Sequence, residues 1–205
     1  RRRRLEHWFA RTRPPFMDLS PLVPFTDWDH LSHLRLSARD AGVEEGAIEG
    51  LMLKRGDSAY IGGRPRGPWF KWKRGPLTAD CVLMYAQRGH GKRSSFYSDY
   101  TFGAWRGTPG EDGELVPVGK AYSGFTDAEL VEIDRWVRNH TTNRFGPVRE
   151  VEHGLVFEVA FDSVHRSTRH KSGIAMRFPR ISRLRWDKPA AEADRLEVLE
   201  RMVAT

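Results

Sequence analysis

The sequence is poor in cysteine and lacks any long apolar run. Cys81 is the one cysteine among 205 residues, so an internal disulfide and a cysteine-rich zinc site are both excluded. The longest apolar run covers residues 81–86, whereas a transmembrane helix needs about 20 apolar residues. We therefore predict a reducing, cytoplasmic setting without a membrane partner, and we expect Cys81 to be buried in an apolar strand.

Acidic residues are also scarce in three particular segments. Residues 1–17, 54–74 and 166–188 carry six, seven and eight basic residues, each with a single acid, and the net charge of the chain is +7. Phosphate groups respond to local positive density more than to total charge, so this clustering favours a polyanionic partner. A solvated basic surface explains the same composition equally well.

Seven tryptophans and a hydrophobic content of 39% provide enough apolar mass for packed cores. In the first part of the chain we predict a short helix at Arg3–Ala10 and strands at Glu49–Lys54 and Trp69–Lys73. Arg74-Gly75-Pro76 then interrupts the pattern, because glycine and proline disfavour a continued strand. We therefore predict two domains, residues 1–74 and 75–205.

The second part is dominated by strand signals, with one helix among them. Thr126 is placed to cap this helix and Glu129 to complete a capping box, ahead of an apolar face of Leu130, Ile133 and Val137. The fold class predicted is α+β, mainly β, with a five-stranded OB-fold barrel; an SH3-like barrel or a small sandwich is the alternative. The predicted strands are Asp80–Gln87, Ser95–Trp105, Leu115–Tyr122, Leu155–Phe161 and Ile174–Trp186, the last of them bent at Pro179.

Two lysines alternate with aromatic residues in the strand Trp69–Lys73. Because side chains on a strand alternate between its faces, Lys71 and Lys73 project from one face, whereas Phe70 and Trp72 point to the other. Two such ammonium groups can clamp a phosphate, although lysines on an exposed edge strand also deter aggregation. In the neighbouring strand, Glu49 is a candidate Mg²⁺ ligand near bound phosphates; an ordinary strand with charged ends is the alternative there.

The most distinctive stretch is basic and lies near the end of the chain. It reads Arg177-Phe178-Pro179-Arg180 and continues, through Arg183, to Arg185-Trp186-Asp187-Lys188. Guanidinium groups are planar forks that bind phosphate oxygens at two points. Asp187 either orients Arg185 and Lys188 or is neutralised by them. A basic exposed strand accounts for the charge of this stretch but not for its order of residue types.

Three of these segments occur in an order that resembles a known family. Glu49–Lys54, Trp69–Arg74 and Arg177–Lys188 resemble motifs IV, V and VI of the covalent nucleotidyltransferases, and specifically of bacterial-type ATP-dependent DNA ligases. A glycine-basic loop at 89–93 and the strand segment Phe157-Glu158-Val159 resemble other parts of the same enzymes. The resemblance covers nearly the whole chain and implies the C-terminal half of a ligase, with the end of an adenylation domain at 1–74 and an OB domain at 75–205.

The resemblance implies a three-step reaction with ATP and Mg²⁺ as cofactors. A lysine attacks the α-phosphorus of ATP, AMP passes to the 5′-phosphate at a nick, and a 3′-hydroxyl displaces AMP. The implied partner is nicked double-stranded DNA, and the implied enzyme is a monomer at the bacterial nucleoid that serves replication, repair and recombination.

Residue roles follow from the same resemblance. Lys71 and Lys73 would be catalytic, binding and polarising the α-phosphate, and Glu49 would hold the metal. Contacts to the nucleotide would come from Lys54, Lys71, Lys73, Arg177, Arg185, Asp187 and Lys188, of which the last three would orient the pyrophosphate. Contacts to the DNA backbone would come from Arg88, Lys92, Arg93 and Arg166, since loops of an OB barrel commonly face nucleic acid.

The nucleophile motif of this family, Lys-x-Asp-Gly, does not occur in the sequence. Lys54-Arg55-Gly56-Asp57 contains the same residue types in another order and already belongs to the segment that resembles motif IV. We therefore expect that these 205 residues alone do not form a lysyl-adenylate. A non-catalytic OB-fold protein that binds nucleic acid is the rival interpretation.

Overall fold

A computed structural model of the protein describes residues 2–36, 50–63, 66–91 and 94–203. The chain divides into two compact units, Arg1–Arg74 and Gly75–Thr205. Strands outnumber helices, so the predicted mainly β class with few helices is confirmed. Within the described ranges, no helix is both long enough and apolar enough to cross a lipid bilayer.

The described residues of the first unit form two helices and a hairpin. They are α1 (Arg2–Thr12), α2 (Trp28–Leu36), and the antiparallel strands β1 (Gly50–Lys54) and β2 (Trp69–Lys73). The hairpin packs on α2 through Trp72, whose ring meets that of Trp28 edge-on at a centroid distance of 6.1 Å. Among the described residues of this unit, Leu31 is the only buried apolar side chain, so the core inside the unit is small.

A seven-stranded antiparallel sheet forms the body of the second unit. Its strands are β3 (Leu77–Arg88), β4 (Tyr97–Arg106), β5 (Glu114–Ala121), β6 (Thr141–Phe145), β7 (Val148–Val151), β8 (Val156–Phe161) and β11 (Arg180–Arg185). The main order is β11-β8-β3-β4-β5, while β7 pairs with the end of β3, and β6 with β7. The described part of this unit also contains α3 (Asp127–Asn139), the hairpin of β9 (Ser163–Arg166) and β10 (Ile174–Arg177), a 3-10 helix at Ala190–Glu192, and α4 (Leu196–Glu200).

Each of the five segments predicted as strands in this unit contains a strand in the structure, and the fifth segment is divided into two strands. Phe178, with a φ of 51°, separates β10 from β11, because a left-handed residue followed by Pro179 cannot continue a ladder. The hairpin of β6 and β7 and the short β9 were not predicted. The segment 141–145 is largely polar and exposed, so it carries no alternating apolar pattern that would announce a strand.

Helix α3 begins as its sequence predicts. The Thr126 amide donates to Glu129 Oε2 at 2.7 Å, and the Glu129 amide donates to Thr126 Oγ1 at 3.2 Å, which completes the capping box. Leu130, Ile133 and Val137 are buried, as the 3.6-residue period requires. The helix thereby covers one side of the sheet's apolar core.

The two edges of the sheet meet, as in a barrel. Beyond β5, the Ser123 carbonyl accepts a hydrogen bond of 3.0 Å from the Ile181 amide of β11. The enclosed core contains the large rings Tyr100, Phe102, Phe157 and Phe161, all fully buried. Cys81 is also fully buried, and this burial raises the pKa of its thiol well above the ordinary value, with smaller contributions from nearby Asp194 and Asp80.

Candidate functional site

One face of the β1–β2 hairpin carries three lysines. Lys71 and Lys73 are two residues apart on β2 and therefore share a face. Lys54 of β1 joins them, because it stands opposite Trp69 in the antiparallel register. All three side chains are exposed. Three ammonium groups on one open strand face provide the charge-assisted donors that a chain of phosphates requires.

Aromatic rings support this hairpin on both faces. On the lysine face, Lys54 Nζ lies 5.6 Å from the centroid of the Trp69 ring. On the opposite face, the Arg35 guanidinium carbon lies 4.8 Å from the centroid of Trp72. Arg35 Nη1 also donates to the Lys73 carbonyl at 2.9 Å. The backbone that carries the lysine pair is therefore tied to α2.

Gly50 is required by the close approach of the two strands. Its φ is +138°, and a Cβ built there would lie 2.3 Å from the Trp72 carbonyl oxygen. Glu49, the predicted metal ligand, precedes it and lies outside the described residues, as do Lys92 and Arg93. In the part of the chain that the structure describes, no three His, Cys, Asp or Glu side chains are grouped as metal ligands would be.

The distinctive basic stretch of the second unit forms an ion-pair network around Asp80. Asp80 Oδ2 accepts from Arg185 Nη1 at 3.0 Å and from Lys188 Nζ at 2.7 Å. Asp187 accepts from Arg185 Nε at 3.1 Å and from Nη2 at 3.0 Å. The side chain of Asp80 is 12% exposed, and those of Arg185 and Lys188 are 22% and 20% exposed. Asp187 therefore orients Arg185, while Lys188 is oriented by Asp80.

The ion-pair network changes the pKa of the Asp187 carboxyl group. The hydrogen bonds from Arg185 lower the pKa of Asp187, and its backbone contributes to a smaller extent. A lowered folded-state pKa contributes stability above the ordinary carboxyl pKa, and that stability is lost as the pH falls through the lowered value. The Arg185–Asp187 geometry is thus maintained at neutral pH.

Replacing Asp80 by alanine is expected to destabilise the second unit by about 2 kcal/mol, because Arg185 and Lys188 lose a largely buried anionic partner. The measurement is chemical unfolding of the 205-residue chain. Asp187→Ala is the matched control: it removes a carboxylate from the same arginine, but one that is 60% exposed, so its cost should be much smaller. Equal losses from the two substitutions would contradict the anchoring role of Asp80.

The other basic candidates of this unit lie at strand ends. Arg177 ends β10, and its guanidinium carbon lies 5.2 Å from the centroid of the Phe178 ring. Arg166 ends β9, and Arg88 ends β3. All three are exposed. Among the described residues, no side-chain hydrogen bond joins Arg177 to the Asp80 network, so the structure brings together Arg185, Asp187 and Lys188 but not Arg177.

Sequence reasoning missed Asp80 as a site residue. It is separated from Arg185 by 105 positions, and nothing in the local sequence of β3 marks it. Only the pairing of β3 and β11 with the intervening β8 brings the two residues together. Two basic residues near Arg88, namely Arg138 and Arg149, were also missed. The spacing of Asp134 and Arg138, four residues apart on a helix, was a visible signal for one of them.

Residues 93–188 match a family model described as the ATP dependent DNA ligase C terminal region. A probable DNA ligase of Koribacter versatilis is 51% identical over 79% of this chain and 27% of its own length. A probable DNA ligase of Opitutus terrae is 44% identical over 82% of this chain and 16% of its own length. A DNA ligase of Natronomonas pharaonis is 34% identical over 91% of this chain and 32% of its own length. The chain thus spans about a third or less of the length of these relatives.

Solved structures share the fold at low sequence identity. The ligase domain of LigD from M. tuberculosis superposes with a TM-score of 0.50 at 22% identity, over 95% of this chain and 59% of its own. A structure named Pmar-Lig_Pre superposes with a TM-score of 0.61 at 19% identity, over 88% of this chain and 37% of its own. Both similarities concern the fold alone.

Proposed function

We propose that the whole protein, whose residues 93–188 match the C-terminal region of the ATP-dependent DNA ligases, seals nicks in duplex DNA. Sealing would proceed through a lysyl-adenylate and a DNA-adenylate. Unit Arg1–Arg74 would be the end of the adenylation domain, and unit Gly75–Thr205 the OB domain. The observation that carries the proposal is the Arg185–Asp187–Lys188 group, held in a defined geometry within the matched region.

In this function the lysine face of the hairpin binds the nucleotide. Lys71 and Lys73 would neutralise the α-phosphate, and Lys54 would add a third donor on the same face. Phosphoryl transfer depends mainly on positioning and on charge neutralisation, which ammonium groups on a fixed strand supply. Glu49 would hold Mg²⁺, which would supply positive charge against the phosphates of the nucleotide.

In the second unit, Arg185 and Lys188 would orient the pyrophosphate leaving group. Asp80 and Asp187 would keep both cations in position rather than touch the substrate. Arg177, Arg88, Arg166, Lys92 and Arg93 would supply further contacts, the first to the nucleotide and the others to the DNA. The proposed setting is the bacterial cytoplasm at the nucleoid, with the enzyme acting as a monomer.

Labelled ATP tests this proposal. The 205-residue chain is expected to take up no covalent label with ATP and Mg²⁺, because it lacks Lys-x-Asp-Gly. An intact protein that contains both these residues and a Lys-x-Asp-Gly motif should become labelled and should seal a nicked duplex. The measurement is denaturing electrophoresis of the protein and of the DNA.

Covalent label on the 205-residue chain would show that its nucleophile lies within these residues and would refute the assignment. The rival function gives a different pattern: an intact protein that binds nicked DNA but neither labels nor seals would be a non-catalytic OB-fold binder. Lys-x-Asp-Gly is absent from the sequence, which is the observation that favours this rival.

A further inference from the structure

Three arginines from three different elements surround one buried ring in the second unit. The guanidinium carbons of Arg88 (β3), Arg138 (α3) and Arg149 (β7) lie 5.5, 5.4 and 5.8 Å from the centroid of Tyr97. Tyr97 itself is 4% exposed. Three points this close to one centre lie within about 11 Å of one another. We refer to these three side chains as the Tyr97 arginine cluster.

The cluster is rigidly built. The Tyr97 amide donates to Asp134 Oδ1 at 2.8 Å, and Arg138 Nε donates to Asp134 Oδ2 at 2.7 Å. Arg149 Nη1 donates to the Gly146 carbonyl at 2.7 Å. These bonds fix two of the three guanidinium groups before any ligand arrives, so binding would cost little side-chain entropy.

Positive charge in the cluster exceeds negative charge. Asp134 is the one carboxylate bonded to any of the three arginines within the described ranges, and it pairs with Arg138. Arg144 stands directly opposite Arg149 in the β6–β7 register and is exposed, so the basic surface continues onto the hairpin. Arginines held together in this way repel one another unless an anion lies between them.

We propose that the Tyr97 arginine cluster is a docking surface for the phosphate backbone of duplex DNA. Duplex DNA carries one charge per about 1.7 Å of helix axis, so three guanidinium groups that lie within about 11 Å of one another can face more than one phosphate at once. Guanidinium forks grip phosphate oxygens at two points, and phosphate contacts fix a protein's register without reading sequence. This inference rests on the proposed function and names residues beyond the predicted Arg88.

Binding of a short nicked duplex to the 205-residue chain tests the proposal. The affinity is measured by fluorescence anisotropy between about 50 and 200 mM salt. Arg88→Gln is expected to reduce the slope of log K against log salt by about 0.9, and Arg88→Gln/Arg149→Gln by about twice that, since each lost phosphate contact removes one counterion-release contribution. The double substitution should also lower the affinity at least about tenfold at about 0.1 M salt.

Two controls separate charge from folding. Arg88→Lys/Arg149→Lys keeps both charges and should keep the slope of log K against log salt. A slope as low as that of the double glutamine variant would contradict the proposal, because it would mean that the two arginines support the fold rather than contact phosphates. Arg201→Gln removes one charge from the exposed residue after α4 and should leave the slope unchanged. Arg88 makes its contact with a ring, so the Arg88→Gln variant should fold and can carry the test alone.

Three results would overturn the inference. They are an unchanged slope in a folded Arg88→Gln variant, an equal change in Arg201→Gln, and equal loss of affinity for single-stranded DNA. If the unmodified chain binds the nicked duplex but these variants behave like it, the cluster fails and the ligase proposal stands. If the intact protein does not seal nicks, the ligase proposal fails whatever the cluster does.

Discussion

Under the proposed function, Lys73→Ala in the intact protein is expected to slow the formation of the lysyl-adenylate by about 10²- to 10³-fold, the cost of removing one preorganised donor from a developing phosphate charge. Lys71 and Lys73 share the exposed face of β2, so both can approach one phosphate group. The double substitution Lys71→Ala/Lys73→Ala is expected to reduce this rate by more than either single substitution but by less than the product of the two single reductions, because the two lysines act on the same charge. Uptake of labelled AMP, followed in a single turnover, measures this rate.

Matched substitutions make this result specific. Lys120→Ala removes an exposed lysine from β5, on the other unit, and should leave the rate within about twofold, as surface substitutions away from a site usually do. Lys73→Arg keeps the charge and should restore part of the rate. A normal labelling rate in the Lys73→Ala variant would contradict the proposal that the lysine face of the hairpin binds the nucleotide, because no other role proposed for Lys73 depends on its charge.

Gly124→Ala is expected to destabilise the second unit by about 3 kcal/mol, through steric overlap and an unfavourable backbone conformation together. Gly124 has a φ of +101°, and a Cβ built there would lie 2.0 Å from the Ile181 carbonyl oxygen and 2.8 Å from the Ile181 nitrogen. These are backbone atoms of β11 at the point where the barrel closes, so they cannot move without breaking the Ser123–Ile181 hydrogen bond. Chemical unfolding of the 205-residue chain measures the loss.

Gly110→Ala serves as the control for Gly124→Ala. Gly110 has a φ of +86°, but nothing lies within 4 Å of its built Cβ. It therefore carries the cost of positive φ without the overlap, about 1 kcal/mol. If Gly124→Ala costs no more than Gly110→Ala, the close approach between the 123–124 turn and β11 does not contribute to stability, and the sheet edges are not held there.

The sequence alone identified the elements whose signals are local. The capping box of α3 and its apolar face are encoded within twelve residues, and the structure reproduces both. The alternation in Trp69–Lys73 placed Lys71 and Lys73 on one face, because the two-residue period of a strand needs no tertiary information. By contrast, β6 is largely polar and exposed, and β7 is only four residues long with two charged residues. Neither carries a sustained apolar alternation, so both escaped prediction.

Long-range contacts decided how the basic residues are used. The order of residues in Arg185-Trp186-Asp187-Lys188 carried the resemblance to a family but did not show which carboxylate holds which cation. That assignment required the sheet, because β8 lies between β3 and β11 and brings Asp80 to Arg185 across 105 positions. The Tyr97 arginine cluster likewise gathers side chains from β3, α3 and β7. Spacing along the chain determines which face a side chain takes, whereas its charged partner is set by strand order, which local sequence does not encode.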